Sequence, residues 1–169
     1  TRRLPRGRPR SAGCTVKRQR GQPDPREDAA RILMRAMTGE QSSTDLLNRH
    51  LTAHGDPRDR ALVHQLVMGV LRRRLALETI VAPLLKRPLK DARPAIREVL
   101  LTLVYSALFL DRIPSHARVS AAVDAARRLA GDPASRFVNA VGRSLERTLS
   151  GGPGRDTLLE ALPAHIRFS

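Results

Sequence analysis

Residues 94–110 read PAIREVLLTLVYSALFL, and this stretch decides the fold. Its large apolar residues recur at the i, i+3, i+4 and i+7 spacing of one helix face, at Ile96, Val99, Leu100, Leu103, Val104, Ala107 and Leu108. That periodicity predicts a long helix that Pro94 opens and that ends before Pro114. Because no other segment is as apolar, we expect it to be the central helix of the core.

Helical patterns on both sides of this stretch predict an all-α fold. Asp24-Pro25, Asp56-Pro57 and Asp132-Pro133 each join a capping aspartate to a proline that suits the first helical turn. The expected helices begin at or near Asp24, Ser43, Asp56, Leu75, Pro94, a capping Ser115, and Asp132, and glycines end several of them. We therefore expect a compact bundle of about seven helices, the fourth of them kinked or shortened by Pro83.

The last expected helix carries both an apolar stripe and a polar side chain of uncertain role. The stripe predicts burial of Phe137, Val138, Val141 and Leu145. Asn139 lies one position from it, which leaves two interpretations, a contact with a nucleic-acid base and an interhelical hydrogen bond. We favour the hydrogen bond, because buried polar groups usually pair within the fold.

The charge balance indicates a polyanionic partner. Lys and Arg total 31 against 16 acidic residues, a formal net charge of +15, and the pI is near 11.7. Arginine, whose planar fork matches phosphate oxygens, far outnumbers lysine; codon usage in a GC-rich genome is the alternative explanation. The single Cys14 excludes an intramolecular disulfide and a cysteine-based zinc site. The sequence contains no run of about 18 apolar residues, so we expect no membrane span. We expect a cytoplasmic protein.

Two groups of basic residues are the candidate contacts for a nucleic acid. Residues 1–23 hold no acidic residue and few large apolar ones, so we expect a disordered arm that neutralises phosphates or merely solubilises the chain. The second group surrounds the end of the third helix and the loop after the fourth, where we expect one continuous patch and one arginine paired with Glu78. The candidates are Arg2, Arg3, Arg6, Arg8, Arg10, Lys17, Arg18 and Arg20 in the arm, and Arg72, Arg73, Arg74, Lys86, Arg87, Lys90 and Arg93 beyond it.

Five short sequence motifs in a fixed order resemble those of a known family. They are Asp59-Arg60-Ala61, Gly69-Val70-Leu71-Arg72-Arg73, Lys86-Arg87-Pro88-Leu89, Ile113-Pro114-Ser115-His116-Ala117 and Val138-Asn139-Ala140-Val141. Together they resemble the NusB-like domain, in the form found at the N-terminus of bacterial Sun/Fmu-type 16S rRNA cytosine-C5 methyltransferases. Residues 164–169 resemble the approach to that family's catalytic region. Arg136 and Gly142 depart from the pattern, which commonly has glycine and leucine there.

The resemblance implies a domain organisation and a function. Residues 1–23 would be the arginine-rich arm, residues 24–150 the NusB-like helical domain, and residues 151–169 a linker towards a missing catalytic domain. The domain would bind RNA, 16S rRNA in particular, and position it for methylation. The cofactor S-adenosylmethionine is expected only in the missing domain, because this chain shows no glycine-rich strand-turn-helix signature.

Two alternatives remain open at the level of sequence. One is a stand-alone NusB-like antitermination factor that binds RNA and a ribosomal protein, and the other is a protein-interaction bundle kept soluble by its arginines. No catalytic residue is predicted, because paired acids for acid–base chemistry are missing. His50, His54 and His64 lack carboxylate or cysteine ligands at a suitable spacing, so we expect no metal site. We expect His116 to serve local turn chemistry.

Overall fold

A computed structural model describes residues 24–39, 41–53, 56–111, 113–151, 158–160 and 162. Within these ranges the long elements are α1 (Pro25–Met37), α2 (Ser43–Ala53), α3 (Pro57–Arg72), α4 (Arg74–Val81), α5 (Pro94–Phe109), α6 (Ser115–Ala130) and α7 (Asp132–Gly151). Two short 3₁₀ turns occupy Ala82–Leu84 and Leu89–Asp91. The described residues contain no strand, which confirms the predicted all-α bundle. No described helix is long and apolar enough to cross a membrane.

Helix α5 is the centre of the core, as its periodicity predicts. Every residue from Glu98 to Leu108 is buried, and α5 packs against α1, α3, α4, α6 and α7. The hydroxyl groups of Thr102 and Ser106 are satisfied within the helix, since Thr102 Oγ1 donates to the Glu98 carbonyl and Ser106 Oγ to the Thr102 carbonyl, both at 2.8 Å. Burial on all sides explains why residues 98–108 carry apolar side chains beyond a single helix face.

The aspartate caps confirm two of the predicted helix starts, whereas the predicted serine cap is wrong. Asp24 Oδ1 accepts from the backbone N–H of Arg26 at 2.9 Å, and Asp56 Oδ1 accepts from that of Arg58 at 2.8 Å. At α6 the cap position belongs to Pro114, and the side chain there makes no capping hydrogen bond. Ser115 is already the first helical residue, so its hydroxyl is no longer placed to cap.

Pro83 shortens the fourth helix, which was one of the two predicted outcomes. The regular helix ends at Val81, and Pro83 lies in the 3₁₀ turn that follows. Proline has no N–H to donate and its ring obstructs the preceding turn, so the α-helical hydrogen bonding stops there. The following segment, predicted as a loop over residues 88–93, contains a second 3₁₀ turn whose Leu89 is buried in the core.

Helices α6 and α7 form a tightly packed hairpin. Gly131, with φ +88°, joins them in a backbone conformation that side-chain-bearing residues rarely adopt. Gly142 is buried where α7 meets α6, and a Cβ there would lie 3.1 Å from Val119 Cγ1. The glycine that departs from the family pattern therefore marks close helix packing.

Candidate nucleic-acid interface

Arg74 is the predicted RNA contact that the structure places in a buried ion pair. Its Nη2 lies 2.7 Å from Glu98 Oε1, and its Nε lies 3.0 Å from Glu78 Oε1, the pairing expected from the sequence. Burial alone lowers the pKa of Arg74, but the hydrogen bonds and charge of Glu98, with Glu78 adding to them, outweigh burial and raise that pKa. This guanidinium therefore joins α4 to α5 and has little capacity left for phosphate.

Arg73 lies apart from the basic loop, so the expected continuous patch is not formed through it. Its guanidinium carbon lies 4.6 Å from the centroid of Phe109, the last residue of α5. Arg93, in contrast, immediately precedes the first residue of α5, and a helix of that length spans about 24 Å. Arg72 is exposed at the end of α3.

The basic loop borders a groove against α7, which we call the loop groove. Its volume is about 920 Å³. Lys86, Arg87 and Arg93 lie along it, together with Asp91. Arg93 also donates from Nη1 to the Ala130 carbonyl at 3.3 Å, which ties the loop to the end of α6. Lys90 is exposed but does not line the groove. Three predicted cations are thus brought together here.

Phe137 contributes an aromatic ring to the same groove, and the prediction that it is buried is wrong. Its side chain is 40% exposed, whereas its neighbour Val138 is fully buried. Successive residues are rotated by about 100° around a helix, so Phe137 falls at the edge of the stripe that faces the core. It lines the loop groove beside the loop cations.

The exposed face of α7 supplies cations that the sequence analysis missed. Arg136, Arg143 and Arg147 are all exposed. None has a carboxylate within 4.0 Å among the described residues, and Arg147 Nη2 instead donates to Ser144 Oγ at 3.0 Å. Their spacings of seven and four residues put them on one helix face, a signal that the sequence already held. We name Lys86, Arg87, Arg93, Arg136, Arg143 and Arg147 together the basic surface.

A second groove, the helix groove, lies between α6 and α7. Its volume is about 900 Å³, and it shares Ala140 and Ser144 with the loop groove. Asn139 lines it half-buried, and within the described part of the chain its side chain makes no hydrogen bond. The predicted interhelical bond of Asn139 is therefore not formed there. His116 also lines this groove, exposed in the first turn of α6.

The histidines predicted not to bind metal lie in separate surroundings. His50 Nε2 is 3.5 Å from Asp28 Oδ2, between α2 and α1. His64 is exposed on α3, and His54 falls outside the described residues. Over the ranges that the structure describes, no three His, Cys, Asp or Glu side chains are grouped to hold a metal ion. The arm arginines of residues 1–23, and residues 152–157, 161 and 163–169 of the predicted linker, also lie outside the described ranges.

Comparison with known proteins finds relatives of this helical domain. A NusB family model matches residues 23–147. A ribosomal RNA small subunit methyltransferase B from Xanthomonas campestris pv. campestris is 39% identical over 119 residues, which cover 70% of this chain and 27% of that protein. Its namesake from Pseudomonas putida is 34% identical over 148 residues, 86% of this chain and 33% of that protein. The chain therefore spans about a third or less of these relatives' length.

Solved structures share the fold at low sequence identity. A chain from a crystal structure of antitermination factors NusB and NusE in complex with dsRNA has a TM-score of 0.67 and 18% identity, over 74% of this chain and 95% of that one. T. maritima NusB has a TM-score of 0.68 and 17% identity, over 80% of this chain and 94% of that one. At such identities the likeness extends to the arrangement of the helices.

Proposed function

The chain belongs to the NusB family, and from that premise we propose that it is the RNA-binding module of a Sun/Fmu-type 16S rRNA methyltransferase. The names of its curated relatives support the enzyme class. Since the chain corresponds to a minor part of those proteins, its own task would be to hold rRNA while another part of the enzyme reacts. As a protein that acts on rRNA, it would work in the cytoplasm.

The basic surface is the observation that supports the proposed RNA binding. Elsewhere on the described domain, carboxylates pair with arginines, as in Arg74–Glu98, Arg118–Glu146 and Arg127–Asp132. On the basic surface, no cation has a carboxylate within 4.0 Å among the described residues. Cations without carboxylate partners release counterions from a phosphate backbone when they bind it, which favours association.

Phe137 adds a recognition element suited to RNA. Unpaired bases can stack on an exposed aromatic ring, and Phe137 lies in the loop groove beside Lys86 and Arg87. The cations would hold the phosphates while the ring takes a base. This arrangement favours a single-stranded or looped segment over a continuous duplex, whose bases are already stacked.

We also propose that S-adenosylmethionine binds outside the described residues. The described elements are helices and short 3₁₀ turns, without the strand and glycine-rich turn that cradle such a cofactor. We therefore assign no methyl-transfer step to these residues. In this proposal the domain binds and orients the RNA, and the arginine-rich arm of residues 1–23 adds phosphate contacts.

A binding measurement with a charge-matched control tests the proposal. The triple variant Arg87→Ala, Arg93→Ala, Arg143→Ala removes half of the basic surface, and the control Arg35→Ala, Arg49→Ala, Arg58→Ala removes the same charge from α1, α2 and α3. The probe is a labelled single-stranded 16S rRNA fragment, titrated across a salt series. We expect the first variant to bind at least about tenfold more weakly, with a salt slope about two units shallower.

Two outcomes would contradict the proposal. Equal losses in both triple variants would indicate attraction to net charge alone, as expected of a protein-interaction bundle. Absence of binding by the unsubstituted chain at about 50 mM salt, where electrostatic association is strongest, would remove RNA binding altogether. The higher identity to the methyltransferases than to the NusB chains favours the proposed enzyme over a stand-alone antitermination factor.

A further inference from the structure

The helix groove holds a polar group whose partner the fold does not supply. Asn139 is half-buried in its wall, and its amide has no hydrogen-bond partner among the described residues. An asparagine amide offers two donors and an acceptor. Such a group in a concave site can pair with the edge of a heterocyclic base, which presents donors and acceptors in one plane.

The remaining walls of the helix groove suit a flat, largely apolar ring. Val119 and Val123 line it from α6, and Ala140 lines it from α7. The groove also contains Glu146, but Arg118 Nε and Nη2 donate to that carboxylate at 3.2–3.3 Å. Its negative charge is therefore compensated within the fold. Arg143 and Arg147 stand beside these walls, where they can meet a phosphate.

The helix groove and the loop groove are separated only by short side chains. Ala140 and Ser144, one turn apart on α7, line both grooves. Neither side chain extends far from the helix, so an extended strand can cross α7 at this point without obstruction. Its bases would then enter the grooves on either side, while its phosphates pass the α7 arginines.

We propose that the helix groove receives one unpaired base of an RNA strand that crosses α7 over Ala140 and Ser144, with the Asn139 amide hydrogen-bonded to the edge of that base. The inference rests on the proposed function and names its partner more closely, as single-stranded RNA. Duplex RNA would not enter this groove, because its bases stay stacked and their Watson–Crick edges are already paired.

Two single substitutions test the groove and keep all six cations of the basic surface, although Ser144→Leu also removes the hydroxyl that accepts from Arg147 Nη2. Asn139→Ala removes the amide. Ser144→Leu puts a larger side chain on the partly exposed side of α7, at the point where the strand would cross. Ser150→Leu is the matched control, because Ser150 is exposed on the same helix and lines neither groove. The probes are labelled oligo(A), oligo(C) and oligo(U) and a blunt-ended RNA duplex of equal length, and urea unfolding verifies that each variant is folded.

We expect Asn139→Ala to bind the preferred oligomer about three- to tenfold more weakly, the equivalent of one hydrogen bond. Selectivity among the three oligomers should also fall, with the salt slope and duplex affinity unchanged. Ser144→Leu should weaken single-strand binding alone, and Ser150→Leu should change nothing. A merely structural Asn139 would alter duplex and single-strand binding equally.

The inference is overturned if the unsubstituted chain binds the oligomers, the basic-surface variant binds them more weakly, and yet Asn139→Ala and Ser144→Leu bind as the unsubstituted chain does. That result would leave the proposed function intact. If the unsubstituted chain binds no RNA, both the inference and the proposed function fail.

Discussion

Gly69 lets α3 lie directly against an aromatic ring of the central helix. A Cβ at this position would overlap the ring of Tyr105, which is buried and packs against Phe109 with the ring centroids 5.0 Å apart. The ring cannot move without disturbing Phe109 and, through it, the guanidinium of Arg73. Helix packing therefore explains the glycine in the family motif of residues 69–73.

We expect Gly69→Ala to lower the free energy of unfolding by about 1–3 kcal/mol, because overpacking outweighs the gain in helix propensity. Gly151→Ala is the control, since a Cβ there meets nothing within 4 Å. Urea unfolding followed by circular dichroism measures both. A Gly69→Ala chain as stable as the unsubstituted one would show that Tyr105 has room to move.

The buried pair of Arg74 and Glu98 should be strongly coupled to folding. Glu98→Gln leaves the Arg74 charge with only the partly exposed Glu78, so we expect a loss of about 3 kcal/mol. Asp124→Asn, which breaks the exposed contact with Arg127, should cost less than about 1 kcal/mol. Urea titrations of both variants make the comparison.

The same pair predicts how this loss depends on pH. Because the folded chain raises the pKa of Arg74, the stabilisation is complete below the ordinary arginine pKa and disappears only as the pH rises through the raised value. The loss on Glu98→Gln should therefore be equal at about pH 6 and pH 9. A loss that shrinks by pH 9 would contradict this assignment.

At the scale of elements, two predicted caps differ, because Asp56 caps its helix and Ser115 does not. Asp56→Ala removes the acceptor for the Arg58 N–H and should lower the free energy of unfolding by about 0.5–2 kcal/mol. Ser115→Ala removes a hydroxyl that makes no capping bond and should change it by less than about 0.5 kcal/mol. Parallel urea titrations measure both, and equal losses would contradict the assignment of Pro114 as the cap.

The sequence predicts the helices well because their signals are local. Apolar periodicity, Asp-Pro starts and terminal glycines all act within a few residues, so the amino-acid pattern alone is enough to locate α1 to α7. The exceptions depend on tertiary context. Arg74 meets Glu98 across 24 positions of sequence, and Phe137 is exposed because the loop groove forms where residues 84–96 approach α7. No local pattern reports either contact.

At the scale of the whole molecule, the net charge of +15 should oppose folding. Repulsion among the cations raises the free energy of the compact state, and salt screens it. We expect the urea midpoint to rise between about 50 and about 500 mM NaCl, as the Debye length shortens. A midpoint that stays constant or falls would indicate that ion pairs such as Arg118–Glu146 already balance the charge locally.

The α6–α7 hairpin has a consequence for how the domain can diverge among its relatives. The walls of the helix groove come from two consecutive helices, within residues 115–151, whereas the core centres on α5. Exposed positions of the hairpin, such as Ser120 and Ala140, can therefore change without altering the packing of α5. If the helix groove receives RNA as proposed, binding preference and folding stability are separable traits, and substitutions in a single contiguous segment would be enough to change the RNA target.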